Sequence, residues 1–149
     1  MQISGAFLAT LATATSAAPL AEERAAQVSR NNQNISIFAF GSATNCHHIL
    51  RDRGACGIST FFRNVNQEAS FVAMPADVFD QFGSAQHNRL CGKTIRITHG
   101  GVSRTAIVAD RNLSNDHSID TCLDIWQAFG GRDGDGSLIR GASWTIDGV

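Results

Sequence analysis

Four cysteines, Cys46, Cys56, Cys91 and Cys122, standing behind an uncharged amino-terminal stretch constrain this chain more than any other feature. Residues 1–18 carry no charge and end on Ser16, Ala17 and Ala18, just before Pro19. A short apolar stretch that closes on small residues has the pattern of a secretory signal peptide, and its spacing predicts removal near Ala18. A membrane anchor needs about 20 strongly apolar residues. Here Thr, Ser and Gly dilute the stretch and Pro19 stops it. No second hydrophobic run follows, so the mature protein is expected to be secreted and extracellular, with no membrane partner. In an oxidising compartment four thiols are expected to pair. Zinc is the weaker reading, because no C-x-x-C pair exists, and a single nucleophilic Cys does not account for four. Four cysteines admit three connectivities, and spacing alone selects none of them.

The 149 residues suffice for one domain. The net charge of -1 leaves no strong basic field, so nucleic acid is not an expected partner, and the small charge favours a monomer. Residues 19–36 are polar and lack a core pattern, so they read as a flexible lead, with the domain proper over 37–149. Strands are expected at Ile35 to Thr44, Ser70 to Ala73, Lys93 to His99, Val102 to Asp110 and Gly141 to Asp147. Gly100-Gly101 marks a tight turn between the third and fourth of these. One helix opens at Pro75 and carries Val78, Phe79 and Phe82; a second follows Asp120 as N-cap and carries Leu123, Trp126 and Phe129. Trp126 and Trp144 fall on apolar stripes and are expected in the core. Many short strands with one or two short helices predict a mainly β fold, a small closed barrel.

Candidate metal sites are weak. Gly131 to Gly136 has the look of half a calcium loop without its distal Glu. His47-His48 are adjacent and do not orient readily to one ion, so neither metal nor cofactor is expected. Asn34-Ile35-Ser36 and Asn112-Leu113-Ser114 are possible glycosylation sequons at Asn34 and Asn112.

Several segments occur in a telling order: Gly41-Ser42-Ala43-Thr44; Gly54-Ala55-Cys56-Gly57; Leu90-Cys91-Gly92-Lys93 running into Thr94 to Thr98; and Ile107-Val108-Ala109-Asp110-Arg111, followed by Ser118-Ile119-Asp120. Over residues 37 to 147 this set resembles the rare lipoprotein A-like family of secreted proteins. That group embraces expansin-like, loosenin-like, barwin-like and papain-inhibitor-like members. The resemblance implies a six-stranded double-psi β-barrel. The family's frequent second Cys pair beside its Asp-Arg segment is absent here, Cys122 falling in the expected helix and Cys46 being the other unusual cysteine, so Cys56–Cys91 and Cys46–Cys122 are the expected disulfides, each contributing about 3–4 kcal/mol in the chain-entropy model.

Glycoside hydrolysis uses two carboxyl groups across a groove. By resemblance to related hydrolases, Asp120 matches one acid, and the other falls near Thr44-Asn45-Cys46, where Asn45 stands and no acid does. Asp110-Arg111 resembles the start of a lytic-transglycosylase segment, but Asn112 replaces its Gly. The expected groove therefore holds Asp110, Arg111, Asp120 and Asn45. Phe61 and Phe62 join it as adjacent strand residues of which one faces outward.

Three functions follow from these expectations. The first is a non-hydrolytic, expansin- or loosenin-like protein that binds cell-wall polysaccharide (chitin, cellulose or peptidoglycan). The second is a secreted protease inhibitor or host-interaction protein using the loops Gly83 to Leu90 and Asn112 to Ser118. The third is a weak glycan-cleaving enzyme.

Overall fold

The computed structural model describes residues 12–15 and 26–149. The expected signal peptide at residues 1–18 and the start of the lead fall largely outside the described residues. The chain runs β1 (Val28–Ile37), α1 (Ala43–Arg53), α2 (Ile58–Phe61), β2 (Phe71–Pro75), α3 (Ala76–Phe79), two 3-10 turns (Asp80–Phe82 and Ala85–His87), β3 (Thr94–His99), β4 (Val102–Asn112), β5 (Ser118–Thr121), α4 (Leu123–Ala128) and β6 (Ile139–Ile146).

The six strands close into a barrel in the order β1-β5-β2-β4-β3-β6. β1 runs parallel to β5, β2 runs parallel to β4, and every other pairing is antiparallel. Advancing each strand number by three maps this order onto itself. The barrel is thus two interlocked halves related by a pseudo-twofold, the double-psi arrangement. Closure removes exposed sheet edges, which a small all-β domain must otherwise protect.

Alternation along the strands fills the interior. Ile95 and Ile97 from β3, Ala142, Trp144 and Ile146 from β6, and Ile119 from β5 are all buried. Gly100 and Gly101 both take positive φ, as the two-residue β3–β4 hairpin requires. Trp126 is buried and donates its Nε1–H to the Arg132 carbonyl at 3.0 Å. Trp144 is also buried, but among the described residues its Nε1 finds no partner. Both expected disulfides are present, Cys46–Cys122 tying α1 to the start of α4 and Cys56–Cys91 tying the α1–α2 turn to the segment before β3.

Four sequence expectations are corrected. The barrel starts at Val28, not at residue 37, because the polar residues 28–36 pair through their backbone with β5 and β6 and need bury only Ile35 fully. Residues 38–44 do not continue that strand, and a helix nobody would read from its apolar pattern, α1, starts at Ala43. It buries only Cys46, His47 and Leu50, and the Ser42 hydroxyl caps it by accepting the Asn45 N–H at 3.1 Å. Asp120 caps no helix: it lies inside β5, and Cys122 occupies the position before α4. The one or two expected helices are four short α-helical segments, one of which, α2, holds Phe61 where a strand was expected.

Candidate functional site

The pseudo-twofold brings together a row of four residues across adjacent strands. Ser36 of β1 pairs with Asp120 of β5, Asp120 pairs with Ala73 of β2, and Ala73 pairs with Asp110 of β4. The row is itself nearly symmetric: Asp120 and Ala73 are equivalent positions, as are Ser36 and Asp110. Asp110 and Asp120 are therefore two strand spacings apart, about 9–10 Å between backbones. The buried methyl group of Ala73 floors the gap between them.

A β-bulge sets Asp110. The β2–β4 register slips between Val72 and Ala73, which leaves Ala109 as the extra residue and turns Asp110 onto the groove face. Its Oδ1 then accepts two backbone N–H groups, from Ala55 at 2.8 Å and from Arg111 at 2.8 Å. The Ala55 contact depends on close approach at Gly54. A Cβ there would stand 2.4 Å from the carbonyl oxygens of Ala109 and Leu50.

Asp120 is in a different environment. Burial pushes its pKa up. The Ser36 hydroxyl, donating to Oδ1 at 2.7 Å, offsets part of this, while the charges of Asp116 and Asp110 add to the rise. The two carboxyl groups of one groove thus differ: one is fixed by backbone donors, and the other is held in a half-buried site beside like charges.

Two adjoining cavities share Asn112 and Asp120. One, of about 200 Å³, is lined by Phe38, Ala73, Asp110, Arg111 and Leu113. The other, of about 420 Å³, reaches Ser36, Phe40, Asp116 and Leu138. Together they form an open groove over the row. Its apolar flank is exposed: Phe38 is 38%, Phe40 is 42% and Leu113 is 83% accessible. These are three of the five large hydrophobic residues exposed among the described residues, so the apolar surface is concentrated here. At the rim, Arg111 makes a two-pronged ion pair with Asp80, both contacts at 2.7 Å. This contact holds the Asp80 carboxyl below its ordinary range.

Of the expected site residues, the structure gathers Asp110, Arg111 and Asp120 and leaves out three. Asn45 is exposed on α1, outside the groove. The β1 position facing Asp120 is Ser36 instead, because the first strand ends before Asn45. Phe61 is 59% exposed on α2, and Phe62 lines a separate cleft with Lys93 and Arg89. Neither is near the row, because this segment is helical. The groove residues that sequence reasoning missed are Ser36, Phe38, Phe40 and Asp116. The alternation Ser36-x-Phe38-x-Phe40 at the end of β1 was the available signal for the first three.

The two sequons do not present free amides in the folded protein. Asn112 is 7% exposed and donates to the Ser118 carbonyl at 3.0 Å. Asn34 donates to the Asp116 carbonyl at 2.7 Å. His47 is a structural clamp: its Nδ1 accepts the Phe71 N–H at 2.9 Å, which leaves Nε2 to donate to Asp124 at 2.9 Å. The loop Gly83 to Leu90 is pinned by Asn88, whose amide donates to the Phe79 and Gly83 carbonyls at 2.7 and 2.8 Å and accepts the Leu90 N–H. Among the described residues, no group of three His, Cys, Asp or Glu side chains is placed to hold a metal ion, and no helix is long and apolar enough to cross a membrane.

No protein-family profile matches the chain, and no curated protein matches it by sequence. Among solved structures, a Streptomyces papain inhibitor is similar, with a TM-score of 0.52 at 16% identity, covering 80% of this chain and 94% of that one. At that identity the likeness is one of fold: a mainly β, closed six-stranded barrel with a few short helices.

Proposed function

We propose that this is a secreted, expansin- or loosenin-like member of the rare lipoprotein A-like group that binds cell-wall polysaccharide without hydrolysing it. The observation that carries the reading is the groove over Ser36–Asp120–Ala73–Asp110 with exposed Phe38 and Phe40 on its flank. Aromatic faces stack on the apolar faces of sugar rings, while carboxylates accept from sugar hydroxyls. Ser36, the residue paired with Asp120, is neutral, so the one other carboxyl group of the row is that of Asp110. Asp110 lies on the far side of Ala73, and its Oδ1 is occupied by two backbone donors, so it serves as a fixed acceptor rather than a mobile base.

The test is co-sedimentation with chitin, cellulose and peptidoglycan, together with analysis of soluble products. The expected result is retention on at least one polymer without released sugars, and loss of retention in Phe38→Ala/Phe40→Ala. No retention on any of the three removes the reading. Product release that disappears in Asp120→Asn replaces it with glycan cleavage.

A second reading is favoured by the fold likeness to a papain inhibitor. The pinned loop Gly83 to Leu90 runs directly into Cys91 of the Cys56–Cys91 bridge, so it would meet a protease with little loss of freedom. Titration of papain decides this: undiminished activity at excess protein excludes cysteine proteases of that type as partners.

A further inference from the structure

In the closed strand order, the β3–β6 seam lies diametrically across the barrel from the β5–β2 seam that carries the acidic groove. A second open cleft starts at that seam and extends past the turn before β3. Two cavities of about 440 and 450 Å³ meet at Gly92 and Lys93. Arg89 lines the first, Lys93 lines both, and Arg96 lines the second. Among the described residues none of these three cations is ion-paired; the salt bridges lie elsewhere. The Arg89 guanidinium sits 5.4 Å over the Phe82 ring, which holds it without neutralising it. The one acidic side chain lining the cleft, Asp147, accepts the Gln27 amide at 2.7 Å. The rest of the second cavity's wall is hydroxyls: Thr94, Thr105 and Thr145. On a chain of net charge -1, three cations against the one side-chain carboxylate of Asp147 leave the cleft locally positive.

We infer that this cleft is a second binding site, for an acidic polysaccharide whose sugars carry carboxylate or sulfate groups. The cation spacing selects that class. Lys93 and Arg96 are three residues apart along an extended segment, about 10 Å. Nucleic acid presents one charge per about 1.7 Å of duplex and rewards a dense basic field with stacking aromatics. The cleft has neither: its one aromatic lining residue is the half-buried Phe62. A polymer with one charge every sugar or two, and hydroxyls between, matches isolated cations set among threonines. The site is independent of the groove reading, since it shares no residue with it.

The test is calorimetric titration of the protein with polygalacturonate, κ-carrageenan, neutral dextran and single-stranded DNA, at low and at physiological salt. The expected result is salt-sensitive binding to one or both acidic polysaccharides and none to dextran. The carboxylate and sulfate arms identify the anion. Lys93→Gln/Arg96→Gln weakens that binding roughly tenfold or more, and Arg89→Gln weakens it less. Arg53→Gln/Arg132→Gln, which removes equal charge outside the cleft, leaves it unchanged. Melting curves check each variant, and Arg89→Gln carries the test if the double variant melts early. Absence of binding to both acidic polymers overturns the inference. So does binding indifferent to the cleft variants, or tighter binding to the DNA.

Discussion

The two disulfides close loops of different length, and this makes their contributions separable. Cys46–Cys122 spans 76 residues and Cys56–Cys91 spans 35. In the chain-entropy model the first restricts the unfolded chain by about 4.5 kcal/mol and the second by about 3.8 kcal/mol at 25 °C. All four cysteines are buried, so replacing either pair with alanine vacates a similar core volume, and that cost largely cancels in the comparison. The expected outcome is that Cys46→Ala/Cys122→Ala is less stable than Cys56→Ala/Cys91→Ala by about 0.7 kcal/mol. Both fall well below the parent, and each alone removes a large share of the roughly 5–15 kcal/mol typical of a domain. Urea unfolding followed by tryptophan fluorescence, with the two buried indoles as probes, measures this. An inverted order refutes the argument, as does a loss under about 1 kcal/mol for the longer bridge: either would show that native-state contacts, not loop closure, set the contribution.

Other outcomes follow from the site. Because the Asp120 pKa is raised on folding, its ionisation destabilises the native state as pH rises through and above the ordinary carboxylate range. Asp120→Asn should therefore raise the melting temperature at pH 7 and leave it little changed at pH 3. Asp124 behaves oppositely. Burial pushes it up, but hydrogen bonds from His47 and Ser70 outweigh that and hold it at about 2. Its contribution is present above the ordinary value near 3.8 and is lost as pH falls from there toward 2, so Asp124→Asn should flatten stability over that window in acid titrations monitored by circular dichroism. Gly54→Ala forces a methyl group against two carbonyl oxygens at 2.4 Å and should cost about 3 kcal/mol in urea unfolding. It should also loosen the Ala55–Asp110 hydrogen bond, which amide exchange at Ala55 would report.

What the sequence disclosed follows the physics of each segment. β3 and β6 alternate because each puts one face in the barrel interior, and Ile95, Ile97 and Trp144 announce it. α1 was illegible because a helix lying over a closed barrel buries three residues and exposes the rest, so it has no apolar stripe. β1 was legible only at Ile35, since its outward residues are Asn, Gln and Ser and its pairing runs through the backbone. The candidate site divides the same way. Asp110 and Asp120 stood out as motif residues, and the structure brings them to one groove. Ser36 did not, because its role comes from a strand register between residues 84 positions apart. Phe61-Phe62 invited a surface reading through adjacency, but the helix there sends them away from the groove.

The strand order has a further consequence for biogenesis. β1 hydrogen-bonds only to segments that begin at Ser118 and at Ile139, so the first strand has no partner until nearly the whole polypeptide has been synthesised. No amino-terminal fragment can complete even half a barrel wall around it. Strands β2, β3 and β4 can pair with one another within residues 71–112, but the barrel closes around β1 only once β5 and β6 are in place.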